Sequence, residues 1–406
     1  MREVEREMRA IRYVVWAGPL VAALVGTASA QTVRDSAEVR IVTYEAGDRP
    51  GEQWRIGDAP LIELGGAEAE GPIAFYRIAG VVRLRDGSLA VADGGSSEIR
   101  IFDWTGVHLR TLGGRGEGPG EFSELWEFWR VENTLVGHDA AGRGHVFVAD
   151  GQHIRSLPRS ISPSGVRIRH FGYLGDGSLI GYWPDRSTDV PPGRSTLFMT
   201  LVKVESGKQS VMGRFPIRQV VRDGRGRLSY VVYGPRAHVG ALARAFCVGY
   251  SEEYSFRCFD ALGRLRTVVV RKEWQSRRVT DADRQVFFDG IDKANPGPRA
   301  ARYRTEVREI TEFAERFPPY GRFVGSTNDE LWVGPLVPTD ETLGTWKPSP
   351  PDPTVWSVYS VDGEWLSDVT LPARFRLMEA GPDYVVGVVR DATDVERVVL
   401  YPLLRR

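Results

Sequence analysis

Residues 81–113 read VVRLRDGSLAVADGGSSEIRIFDWTGVHLRTLG. Three turn signals divide this stretch: Arg85-Asp86-Gly87, Gly94-Gly95-Ser96 and Trp104-Thr105-Gly106. Between them, runs 89–92 and 99–102 are apolar and partly β-branched, as expected of strands covered on both faces. The stretch therefore predicts four short antiparallel strands joined by tight turns.

The same unit returns along the chain. YLGDGSLIGYW at 173–183 matches RLRDGSLAVAD at 83–93, with Asp176-Gly177 in the place of Asp86-Gly87. RAFCVGYSEEYSFRCFDALGRLRT at 244–267 matches 87–111, with Phe259-Asp260 and Gly263 in the places of Phe102-Asp103 and Gly106. Further copies are read at 130–157, 325–365 and 376–403. A four-stranded unit recurring about every 45 residues predicts propeller blades, here six in one all-β domain. The sixth copy runs out after its third strand, and residues 53–66, before the first copy, are expected to supply the fourth and close the ring. The expected organisation is a leader at 1–30, an N-terminal extension at 31–52 and a six-bladed β-propeller at 53–406.

The glycine-rich stretch GGRGEGPGEF at 113–122 fits neither phosphate-binding pattern: no Lys-Ser or Lys-Thr follows it, and Pro119 and Glu121 stand where a dinucleotide loop requires glycine. It is read instead as the connection from the outermost strand of one blade to the innermost of the next. With LAVADGGSSEIRIFDWTG at 89–106, FAERFPPYGRFVGSTNDELWV at 313–333 and YVVGVV with VERVVLYPL near the end, this loop gives a chain that resembles the secreted bacterial six-bladed β-propellers related to NHL repeats. The resemblance implies the fold and not a chemistry, because one fold hosts many functions.

Residues 12–30, RYVVWAGPLVAALVGTASA, have a basic start, an apolar centre and a small-residue end at Ala28-Ser29-Ala30, the pattern of a cleaved export signal. Met8 offers an alternative start, and an uncleaved anchor is the other reading. The protein is expected to be periplasmic or secreted, with no membrane span after cleavage, and to act as a monomer. The 53 basic and 53 acidic residues balance, and no basic run argues for nucleic acid.

In such a blade the turns from second to third strand and the connections from fourth strand to the next blade share one face. The long stretches 184–196, 219–235, 274–319 and 335–354 all fall there, so ligand binding is expected at that loop-rich mouth. Aligning the copies brings Asp93, Asp139, Trp183 and Tyr250 to equivalent second-strand ends, with Arg390 near the matching place and His138 beside Asp139. Acids, aromatics and an arginine suit a polar ligand with a ring-shaped face, such as a carbohydrate or peptide. The competing reading of Asp93 and Asp139 is that each bonds its own turn. Trp126 and Trp129 read either as core or as an aromatic platform.

No histidine pair has zinc spacing and no cofactor is evident, although calcium held by loop oxygens would leave no motif. The expected function is therefore a binding or interaction scaffold for a small molecule, carbohydrate, peptide or envelope protein. The alternative is a metal-dependent propeller enzyme, a hydrolase, lactonase or lyase. A helical insertion is expected at about 278–317, between the fourth and fifth blades, with Thr280 capping one helix and 299–317 forming another. It either covers a blade edge or roofs the channel. Finally, a hairpin turning between Glu252 and Glu253 sets Cys247 opposite Cys258, close enough to bridge after export.

Overall fold

The computed structural model describes residues 31–36, 38–185, 190–272, 274–338, 349–391 and 393–405. The expected leader at 1–30 and parts of the long stretches at 184–196 and 335–354 lie outside these residues. The described chain is mostly β, arranged in six largely antiparallel sheets whose main strands follow one another in sequence.

Sheet I comprises Ile78–Arg83, Leu89–Asp93, Glu98–Phe102 and His108–Gly113. Sheet II comprises Leu125–Val131, Thr134–Asp139, Gly144–Val148 and His153–Leu157. Sheet III begins with Arg169–Tyr173 and Leu179–Pro184, and continues into a long hairpin, Gly193–Glu205 and Lys208–Arg222. Sheet IV holds Ala237–Ala241, Ala245–Tyr250, Ser255–Asp260 and Leu265–Arg271. Sheet V holds Arg322–Gly325, Glu330–Gly334, Thr354–Ser360 and Trp365–Leu371. Sheet VI holds Phe375–Ala380, Tyr384–Arg390 and Glu396–Arg405, and its last strand pairs with both Trp54–Ile56 and Ile62–Gly65.

Burial sets the composition of the strands. Leu89–Asp93 is buried at every position, whereas His108–Gly113, at the sheet's far edge, is mostly exposed. The second strand is covered on both faces by neighbouring sheets, so it cannot alternate with polar residues. The first strands touch one another in the cyclic order I, II, III, IV, V, VI and back to I. Glycine permits some of these approaches: a Cβ on Gly325 would collide with the Ala241 carbonyl oxygen of sheet IV.

The loop at 113–122 joins sheets I and II. Gly113 and Gly114 take φ of 74° and 152°, which favour glycine. The loop satisfies itself, with Phe122 N donating to the Gly114 carbonyl and Gly118 N to Glu121 Oε2. Phe122 is wholly buried between the sheets, an anchor that contributes about 2–3 kcal/mol.

Three elements differ from the sequence reading. Part of the stretch at 219–235 is sheet, because Lys208–Arg222 runs on and Leu228–Val232 adds a fifth strand to sheet III. Residues 32–44 add a hairpin to sheet IV, with Val39–Tyr44 parallel to Leu265–Arg271. Between sheets IV and V, helix α1 (Asp281–Ala294) starts at Thr280 with a capping box to Asp283, and helix α2 covers only Ala301–Ile310. The chain leaves α2 because Glu312–Phe313 pairs in parallel with the edge strand Leu228–Val232. Phe287, Ile291 and Phe317 pack with Val232 and Tyr233, so the helices cover the edge of sheet III, and none of their residues lines the central cavity.

Cys247 and Cys258 face each other in register on sheet IV and are joined by a disulfide. Both are buried in the core between sheets IV and V.

Candidate functional site

The two acids picked out by alignment are held by their own surroundings, whereas His138 Nδ1, the Tyr250 hydroxyl and Arg390 Nε are buried with no hydrogen-bond partner among the described residues. Asp93 Oδ1 accepts the backbone N–H groups of Tyr76 and Gly95, while Oδ2 accepts the Ser96 hydroxyl and meets Arg100 at 3.1 Å. Burial raises its pKa, opposed by these bonds. Asp139 accepts Arg143 N and Nε and the Ser123 hydroxyl. Burial works to raise its pKa as well, but these donors outweigh it and hold the carboxyl below the usual range. The same Asp-to-Arg turn recurs at Asp223–Arg227 and Asp260–Arg264, which marks it as a device of the fold.

His138 is buried, with Nε2 at 2.6 Å from the Tyr173 hydroxyl. Burial, then the nearby His170, lowers its pKa well below the ordinary value, so it stays neutral. Arg390 pairs with Glu396, which also accepts Ile78 N. Burial pushes the Tyr250 hydroxyl up to about 12. Trp183 is half-buried, and its neighbours Tyr182 and Pro184 line a cavity of about 540 Å3 together with Glu127, Arg167, Arg169 and His170. Among the described residues no hydrogen bond joins any two of the six candidates, so the fold does not gather them into one constellation.

A larger cavity, about 730 Å3, lies among the first strands of all six sheets. Its lining extends to Arg85, Glu132, Gly175, Ala243 and Thr327, residues of the turns between first and second strands. Arg85, Glu132 and Ala243 are exposed, so the cavity reaches solvent at that end. None of the six candidates lines it. The first-to-second turns lie opposite the long connections, so this exposed end of the cavity is the one away from the mouth expected from sequence.

The cavity's chemistry is concentrated at Glu379 of sheet VI. Its Oε1 accepts Arg83 N at 2.8 Å and the Tyr384 hydroxyl at 2.6 Å, and Oε2 faces Arg130 Nη2 of sheet II at 3.7 Å. Burial raises the pKa of Glu379 despite these partners. Trp129, Phe171 and Tyr173 give the cavity half-buried aromatic surface, and Trp129 and Tyr173 meet edge-on with ring centres 5.6 Å apart. Trp129 thus serves the cavity, while Trp126 stands 38% exposed at the bulge beside it. Arg130, Glu379 and Trp129 sit inside strands without motif or spacing, and only their departure from the apolar pattern of those strands could have singled them out.

Among the described residues, no group of three or more His, Cys, Asp or Glu side chains converges to hold a metal ion. No described helix is long and apolar enough to cross a membrane.

No family model matches the chain, and a search of curated proteins finds no match. Among solved structures, the chain is similar to a candidate exported protein of Bacteroides fragilis, at 11% identity and a TM-score of 0.45, covering 90% of this chain and 99% of that one. It is also similar to a member of the DUF4221 family from Bacteroides vulgatus, at 10% identity and a TM-score of 0.46, covering 87% and 99%. A chain of the mitotic checkpoint complex gives 12% identity and a TM-score of 0.37, covering 96% and 99%. Likenesses this distant carry no weight for function, which must come from this chain's own residues.

Proposed function

We propose that this protein is an exported six-bladed β-propeller that binds a small polar ligand in its central cavity. The observation that carries the reading is that the first strands of all six sheets contact one another in cyclic order and jointly line one cavity of about 730 Å3. That is the size and position at which a propeller scaffold receives a ligand. The pairing of 54–56 and 62–65 with the last strand supports closure of the ring, since it ties the two ends of the repeat together. Export is supported by the leader pattern at 12–30 and by the disulfide, which suits an oxidising compartment.

The test is thermal melting of residues 31–406 against a panel of sugars, sugar acids, small organic acids and short peptides. A ligand that binds only the folded chain raises the midpoint. We expect at least one such rise, abolished by Ala243→Trp, which places an indole at the exposed cavity rim. A panel with no rise, or rises indifferent to Ala243→Trp, contradicts the cavity reading. An EDTA arm covers the metal-dependent alternative: a fall in the midpoint, restored by calcium, would revive it.

A further inference from the structure

The polar groups of the central cavity are unevenly satisfied. Arg130 reaches from sheet II to Glu379 of sheet VI, past sheet I, whose Arg83 N–H also bonds Glu379. The Arg130–Glu379 separation of 3.7 Å is an ion pair but too long for a hydrogen bond. Arg130 Nε is buried without an acceptor, although the guanidinium side chain is 17% exposed. A guanidinium carries five donors in a planar fork that matches a carboxylate, so unused donors on a cavity wall invite an anion. Glu379 is complementary: its Oε1 is saturated by two donors, while Oε2 accepts no hydrogen bond and is left for a hydroxyl.

The rest of the lining has the same two-sided character. Arg85, Arg322 and Arg376 join Arg130, against Glu127, Glu132 and Glu379, and Glu127 is engaged with His170 Nδ1 at 2.8 Å. The aromatic faces of Trp129, Phe171 and Tyr173 suit a ring with an apolar face. A volume of about 730 Å3 admits one or two sugar rings.

Resting on the cavity reading, we infer that the ligand is an acidic sugar, with its carboxylate on the Arg130 guanidinium, a hydroxyl on Glu379 Oε2 and its ring against Trp129. A neutral sugar leaves the Arg130 donors unanswered. A purely apolar acid leaves Glu379 and Glu127 unanswered.

The experiment is titration calorimetry on residues 31–406 with D-glucuronate and D-galacturonate, each beside its neutral counterpart D-glucose or D-galactose, and with phenylacetate as an acid without hydroxyls. At least one uronate should bind about tenfold or more tighter than its neutral counterpart, the discrimination expected of one bidentate arginine. Arg130→Gln should erase that preference, and Arg130→Lys, which keeps the charge but not the fork, should erase most of it if the first variant fails to fold. Glu379→Gln should weaken uronates more than phenylacetate. Neutral sugars binding as tightly as uronates, or an unchanged preference in Arg130→Gln, overturns the acidic-sugar assignment and leaves the cavity reading standing. So does a failure of both uronates while other compounds bind in an Ala243→Trp-sensitive way. If no compound binds in that way, both readings fall.

Discussion

The two ends of this molecule differ in how their polar groups are employed. At the end with the long connections, the two acids are already committed, Asp93 to Tyr76, Gly95, Ser96 and Arg100, and Asp139 to Arg143 and Ser123. His138 Nδ1, the Tyr250 hydroxyl and Arg390 Nε are buried without a hydrogen-bond partner among the described residues, and they line no part of the central cavity. At the other end the turns are short, yet the strands beneath them carry an arginine without an acceptor for Nε and a carboxylate with one oxygen unclaimed by any hydrogen bond. Long loops and repeated acidic residues mark where the chain solves its own turn geometry. Capacity for a partner is marked by unfinished polar groups that also line an open cavity, as Arg130 and Glu379 do.

That contrast can be broken first at Asp93. Asp93→Ala removes one partner of a buried ion pair with Arg100 and should cost about 3–5 kcal/mol in urea denaturation. The cavity should still bind its ligand with wild-type affinity at temperatures where the variant is folded. A loss of affinity without a loss of stability would move the site to the loop end.

Opening the Cys247–Cys258 bridge, by reduction or by the double substitution to Ser, should cost about 3 kcal/mol, because a short hairpin loses its cross-link in the core between sheets IV and V. The same urea titration reads it, and an unchanged midpoint would exclude a bridge that supports the fold.

A third effect concerns pH and separates the helices from the cavity by sign. The Arg277 guanidinium and the Thr280 backbone N–H and hydroxyl hold Asp283 well below the usual carboxylate range. Its contribution is present above the unfolded value of about 4 and is lost as pH falls through the lower folded value. Asp283→Asn should therefore cost about 1–2 kcal/mol at neutral pH and nothing in strong acid. Glu379 works in the opposite sense. Its folded pKa is raised, so the native state holds the proton more tightly and stability declines as pH rises from about 4 through the folded value. Glu379→Gln should flatten that decline. Stability curves of the two variants against the wild type check both signs, and parallel curves would refute the assignment.

The smallest effect on stability belongs to Ala243→Trp. Ala243 is exposed, and the change should alter the unfolding free energy by less than about 0.5 kcal/mol while blocking the cavity. A large loss of stability would mean that the rim is packed and not open.

Much of the fold is legible in the sequence because its signals are local and repeated. Many hairpins carry a turn glycine, such as Gly87, Gly106, Gly177 and Gly263, and second strands such as Leu89–Asp93 and Glu330–Gly334 carry runs set by burial on both faces. Even the register of Cys247 against Cys258 follows from the hairpin between them. The fifth strand of sheet III and its parallel partner Glu312–Phe313 are not legible, since their pairing joins segments some 80 residues apart with nothing local to announce it. The cavity is hidden for the same reason: Arg130 and Glu379 meet only because the first strands of sheets II and VI converge. Aligning repeats finds residues in equivalent places, and a ligand site built from unlike residues on different repeats escapes it.

The most direct measurement is a crystal structure of residues 31–406 grown with the compound that raises the melting midpoint most. Density for that compound among the six first strands, within reach of Arg130 and Glu379, is the predicted result. Density at the opposite end, beside Asp93, Asp139 or Trp183 with the central cavity holding only solvent, would contradict it.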